Sequence, residues 1–216
     1  MRQIASILLF AVSAFCLTGC FDILEEVTVK TDGSGQYTNK IDASKFSEQM
    51  QTFAAFDSTG EMIPKMKYSL DSTFSNTWAS YKTIKGVSNV KIDTSKAYVY
   101  IVTFDFTNFE ALNKAIGFGK PADQQNVYAW EKGKISRKGM PLNMGDMKTE
   151  DESQKEMLKG FLQDMKYTTI YHLPNDAKKV SNKDAKISAD KKTVTLECNM
   201  LELMDGKVKV NNDVTY

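Results

Sequence analysis

Apolar and polar residues alternate at every second position through much of this chain, which predicts strands joined by polar turns. Four stretches repeat their apolar residues every three or four positions instead and predict helices. Val27 and Val29 close a first strand, Thr31-Asp32-Gly33-Ser34-Gly35 reads as a turn, and Gln36 to Ile41 returns. A helix opened by Ser44 carries Phe46, Met50, Phe53 and Phe56 on one face, and Gly60 and Pro64 break it. A second helix starts near Asp71, with Phe74, Trp78 and Tyr81 in line.

Val87 to Phe106 is the strongest hairpin, turning at Asp93-Thr94-Ser95-Lys96. Its return strand puts Tyr98, Tyr100, Val102, Phe104 and Phe106 on one face and Val99 and Ile101 on the other, which predicts a central strand covered on both sides. Asn108 caps a short helix with Phe109, Leu112 and Ile116 inward, and Gly117 ends it. Asn126 to Lys138 forms another hairpin about Lys132-Gly133-Lys134. A capping box at Thr149 and Glu152 starts a helix with Met157, Leu158, Phe161, Leu162 and Met165 on its buried side.

The chain then reads as a strand from Thr168 to Leu173, a strand to Ile187, and a strand from Thr193 to Cys198. A helical turn at Leu201, Leu203 and Met204 follows, then an edge strand Val208-Lys209-Val210. Hairpin followed by short helix recurs from near Val27, Val90 and Ala185. The predicted class is therefore α+β: a mostly antiparallel sheet built from hairpins, with short helices packed on it. Residues 27–216 are assigned to this single domain and residues 20–26 to a short tether.

Residues 1–19 have a different pattern. Arg2 precedes an apolar run, Ile4 to Leu17, interrupted only by Ser6 and Ser13, and Thr18-Gly19 is a small-residue cleavage site. The run is shorter than the roughly 20 apolar residues a spanning helix needs. Leu17-Thr18-Gly19-Cys20 resembles a bacterial lipobox, which implies cleavage after Gly19 and lipidation of Cys20, by palmitate among other chains. A secreted protein cleaved without lipid is the alternative. Two or three acyl chains, at about 0.8 kcal/mol per buried CH₂, hold a protein stably to a bilayer. Cys20 is followed by Phe21 rather than the Asp that retains some lipoproteins at the inner membrane. An outer-membrane address is therefore expected, its periplasmic or cell-surface face left open.

Charge and cysteine usage narrow the chemistry. Cleavage removes Arg2 and no acid, so cations and acids in the remaining chain are equal in number. Nucleic acid is excluded as a partner, because it needs a basic surface. Arg137 is the only remaining Arg, and with Lys132, Lys134 and Lys138 it is placed beside Trp130, a grouping for anionic headgroups or polysaccharide. A solvated strand face is the plainer reading. With Cys16 removed and Cys20 acylated, Cys198 has no disulfide partner and reads as a small buried apolar residue.

Other signals are weak. The Asp32 loop lacks the ligand spacing of a calcium site. His172 is a lone histidine and makes neither a zinc site nor a triad. Met140, Met144 and Met147 read as packing filler rather than a copper site. No metal and no cofactor is expected, and no catalytic residue is assigned. Phe53, Trp78, Tyr100 and Phe104 are the candidates for lining a ligand cavity.

The lipobox, "EEVTVKTDGSGQYTNKIDASKF" and "YHLPNDAKKVSN...ISADKKTVTLECNMLELM" together resemble lipoproteins common in Bacteroidota and, more loosely, the LppM-like lipoprotein domain. The resemblance covers the two ends of the mature chain. It implies an α+β envelope domain with lipid or glycolipid contact, and Asp22, Glu25 and Glu26 resemble an acidic surface-export signal. The expected function is that of a membrane-anchored, non-enzymatic envelope lipoprotein contacting other envelope components or an apolar ligand. One alternative is a lipid or glycolipid carrier with an internal cavity; another is a carboxylate-dependent glycan hydrolase.

Overall fold

The computed structural model describes residues 22–44, 60–117, 126–139, 159–160 and 162–216. The leader, Gly19, Cys20, the Phe46–Phe56 stripe with Phe53, the three loop methionines and the start of the Thr149 helix lie outside the described residues. The class is α+β, as the alternation predicts, but the strands form two sheets rather than one.

The larger sheet has seven strands: β1 (Asp22–Val29), β2 (Gly35–Asp42), β3 (Val87–Asp93), β4 (Val99–Phe106), β7 (Lys166–His172), β9 (Lys186–Ile187) and β10 (Thr193–Asn199). Their order is β3-β4-β2-β1-β7-β10-β9, and β1 and β7 lie parallel at its centre. The smaller sheet orders β5 (Tyr128–Glu131), β6 (Lys134–Arg137), β11 (Asn212–Thr215) and β8 (Lys179–Val180) as β5-β6-β11-β8. The helices are α1 (Met62–Ala79), which runs on into a 3-10 turn at Ser80–Thr83, α2 (Phe109–Ile116) and α3 (Met200–Met204).

Four sequence expectations are corrected. β1 begins at Asp22, so residues 22–26 belong to the sheet and not to a tether: Ile23 and Glu25 alternate inward in step with Val27 and Val29. α1 starts nine residues before Asp71. Pro64 sits in its first turn, where a missing N–H costs nothing, and so does not break it. β4 is not covered on both faces, since Ile101, Thr103 and Asp105 remain half-exposed on its outer side. The last strand is β11, not Val208–Val210, and it lies inside the small sheet between β6 and β8. Val214 alone marked it as apolar, among Asn212, Asp213 and Thr215.

The large sheet buries one face. Tyr37, Phe104, Val27, Tyr171 and Val194 point inward and are covered by α1, α2 and the small sheet, whose Leu112, Ile135 and Val214 complete the main cluster. A second cluster gathers Ile23, Leu162, Met165, Tyr167, Leu196, Cys198 and Met200 towards the end of the sheet where β1 begins. The Cys198 thiol is buried, and that burial raises its pKa.

Local chemistry explains the joints. Asp32 Oδ1 accepts from both the backbone N and the hydroxyl of Ser34 (2.9 and 2.7 Å), closing the β1–β2 turn. A Cβ at Gly35 would come 2.0 Å from the Thr28 carbonyl oxygen, so only glycine lets the strands meet there. Asn108 Oδ1 accepts from the Ala111 N–H at 2.9 Å and caps α2.

Candidate functional site

Between the two apolar clusters lies a row of polar side chains. Register places Glu25 of β1 beside Thr169 of β7, one inward step from Ile23 and Tyr167 on one side and from Val27 and Tyr171 on the other. The small sheet supplies the remaining members. Tyr128 of β5 pairs with Arg137 of β6, so both side chains share the inward face with Trp130 and Ile135. Asn113 of α2 fixes β5 from behind: its amide donates to the Tyr128 carbonyl at 2.6 Å and its Oδ1 accepts the Tyr128 N–H at 2.9 Å.

Arg137 therefore enters the interior, where it is 1% exposed. Its Nη1 lies 2.7 Å from Glu25 Oε2, 2.9 Å from Thr169 Oγ1 and 3.0 Å from the Tyr128 hydroxyl, and its Nη2 donates to the Tyr167 hydroxyl. Nε donates to the Gly139 carbonyl at 3.0 Å. The guanidinium is also 5.2 Å from the ring centroids of both Tyr128 and Tyr167. The Tyr128 hydroxyl accepts from Arg137 and donates to Glu25 (3.1 Å), bridging the ion pair.

The electrostatics follow from burial. Desolvation works against charge on Arg137, but the Glu25 carboxylate and the surrounding tyrosines outweigh it and hold the guanidinium pKa above its usual value. Desolvation likewise lifts the Tyr128 and Tyr167 phenols well above their ordinary range, against the pull of Arg137. Tyr171, facing the same group, is pushed up to about 12 by burial. Arg137 and Glu25, paired at 2.7 Å and shut away from water among buried phenols, thus join the small sheet to the large one.

Other predicted site residues fare differently. The cationic patch beside Trp130 is not formed: Arg137 faces inward, Lys134 pairs outward with Asp213 at 2.9 Å, and the indole N–H donates to the Tyr216 hydroxyl at 2.9 Å. The sequence groups Arg137 with the lysines beside Trp130, but its alternation with Ile135 turns it inward to Glu25, 112 residues away, which the sequence groups with Asp22 and Glu26 as resembling an export signal. Trp78, Tyr100 and Phe104 are core. Phe74 contacts Trp78 and Tyr100 at centroid distances of 5.3 and 4.7 Å, and Tyr81 meets Phe104 edge-on at 5.5 Å.

Two open depressions among the described residues lie elsewhere. An open depression of about 300 Å³ sits where β1, β2, β7 and β10 meet, lined by Asp22, Leu24, Lys40, Asp42, Lys166 and Glu197. A neighbouring one of about 600 Å³ includes Lys183, Asp184, Thr195, Glu197 and Glu202. Their charges are largely matched: Lys40–Asp42 at 3.2 Å and Lys166–Glu197 at 3.1 Å. Among the described residues no three His, Cys, Asp or Glu side chains converge as a metal site, and no helix is long and apolar enough to cross a membrane.

No family model matches the chain, and no curated protein matches it. The likeness to Bacteroidota lipoproteins thus has no support from these comparisons. Among solved structures the fold is similar to the NMR structure of the Mycobacterium tuberculosis LppM folded domain, at 10% identity and a TM-score of 0.40, covering 91% of this chain and 90% of that one.

Proposed function

We propose that this protein is a non-enzymatic lipoprotein of the bacterial envelope, held to the outer membrane by acyl chains on Cys20 and presenting a rigid domain to other envelope components. The observation that carries the reading is the succession of Leu17-Thr18-Gly19-Cys20 and, after Phe21 alone, a central strand of the fold. A cleavage and acylation signal thus abuts the folded domain without cutting into β1. The described interior supports a presenting role: Trp78, Tyr100 and Phe104 are buried among aromatic neighbours, and the buried Arg137–Glu25 pair joins the two sheets.

Expression of the full chain in a diderm bacterium with alkyne-palmitate labelling tests the reading. The wild type should carry label and float with outer-membrane fractions on a density gradient. Cys20→Ala should lose the label and leave those fractions. Normal labelling of Cys20→Ala removes the proposal.

A further inference from the structure

We propose that the end of the large sheet where β1 begins is a lipid-contacting face. Tyr68 of α1 and Leu203 and Met204 of α3 rest in the interfacial layer of the bilayer that holds Cys20. This rests on the acylation of Cys20 proposed above.

The reach of the tether comes first. Only Phe21 separates Cys20 from Asp22, and two residues span at most about 7 Å. That is about the depth of one headgroup layer, the difference between the hydrocarbon core and the full bilayer shared between two faces. The row Asp42–Asp22–Lys166–Asn199, which crosses β2, β1, β7 and β10, is therefore held at the headgroups. Whatever projects past this row enters them.

Among the described residues two elements do, one on each side of β1. Asp71 of α1 accepts from the Tyr100 hydroxyl at 2.8 Å, and Tyr100 is level with Ile41 and Ile23, one step above the row. Tyr81, later in the chain, meets Phe104 further up β4. Helix α1 therefore points its start downward, and Met62 to Leu70, about 13 Å of helix, runs towards and past the row. Tyr68 on this stretch is 75% exposed. On the other side β10 ends at Asn199, in the row, and α3 continues directly beyond it. Its Leu201 and Leu203 are half-buried, and Met204 is 38% exposed. Each element lies two strands from β1 in the sheet order, so the anchor falls between them.

Charge specifies the kind of surface. Among the described residues at this end, Lys65 pairs with Glu61, Lys67 with Asp71, Lys166 with Glu197 and Lys207 with Asp205, so these four lysines are matched by acids. A tyrosine and aliphatic tips among neutralised lysines suit the interface of a zwitterionic phospholipid rather than an anionic one. The contact need not be strong alone, because the tether supplies a high effective concentration.

The test uses the full acylated chain reconstituted into phosphatidylcholine vesicles, with an environment-sensitive fluorophore on Tyr68→Cys, Met204→Cys or Asp190→Cys. The last lies in the turn before β10, at the opposite end of the sheet. Probes at 68 and 204 should be quenched by lipid-borne nitroxide and shielded severalfold from aqueous iodide, with little change on adding salt or anionic lipid. The probe at 190 should behave in the reverse way. Equal iodide quenching at all three sites of a protein that carries its acyl label overturns the docked face and leaves the lipoprotein reading standing. Absence of the acyl label overturns both.

Discussion

At the scale of single residues, Arg137 and Glu25 dominate. A buried pair of this kind contributes little beyond what a well-packed apolar pair would, yet removing one partner strands the other charge without water. Arg137→Met or Glu25→Leu alone should each cost about 3–5 kcal/mol in urea unfolding. The double variant should recover much of that loss, and a strictly additive double variant would show the two side chains to be uncoupled. The inward face of Arg137 follows from its alternation with Ile135, but the neighbouring Lys132, Lys134 and Lys138 make it read as part of a solvated cationic face. Its environment was not legible, since nothing local shows that a charge on an inward face has a partner on β1. Glu25 misled for the same reason: flanked by Asp22 and Glu26 it reads as solvated acid, although it keeps step with Ile23 and Val27.

At the scale of elements, local signals predicted best where they were self-contained. The β1–β2 turn, the capped helix α2 and the β5–β6 hairpin each carry their own polar and glycine punctuation and lie where the pattern put them. α1 began earlier than expected because Pro64 is a breaker only in a helix interior, and β11 was hidden by polar outward residues. The crowded β1–β2–β4 corner offers the sharpest check. At Gly35 a methyl group would meet the Thr28 carbonyl oxygen at 2.0 Å and the Phe106 ring at 2.6 Å. Gly35→Ala should therefore destabilise by about 1–3 kcal/mol through overpacking, read as a lower thermal midpoint. An unchanged midpoint would mean that the two strands can part without cost.

At the scale of the molecule, stability should depend on pH at both ends of the range. Hydrogen bonds from Asn89 and Gln36 hold Asp105 below its ordinary value of 3.8, the Lys134 ammonium does the same for Asp213, and the Ser188 hydroxyl for Asp190. A carboxylate depressed in the fold adds stability above its unfolded pKa, and that contribution fades as pH falls below 3.8. Buried Tyr37, Tyr128 and Tyr167 have phenols raised above 10.0, chiefly by desolvation. Their contribution is complete below 10.0 and is lost as the unfolded phenols ionise above it. With the buried Cys198 thiol, raised from 9.0, joining the phenols, urea midpoints should form a plateau from about 4 to about 9 and fall on both sides. A midpoint that keeps rising beyond the alkaline limit would contradict the burial of these hydroxyls. The division into two sheets could not be read in advance, because strand partners such as β1 and β7 are set by packing across more than a hundred residues rather than by any neighbouring turn.

That parallel pairing at the centre of the large sheet also bears on the order of assembly. β1 and β2 can zip together as a local hairpin, but the other edge of β1 stays open until residues 166–172 arrive. Such long-range closure is slow, and an unpaired central edge is a template for the wrong strand. Glu25 sits on that edge, and a charged side chain there disfavours pairing with a wrong apolar strand.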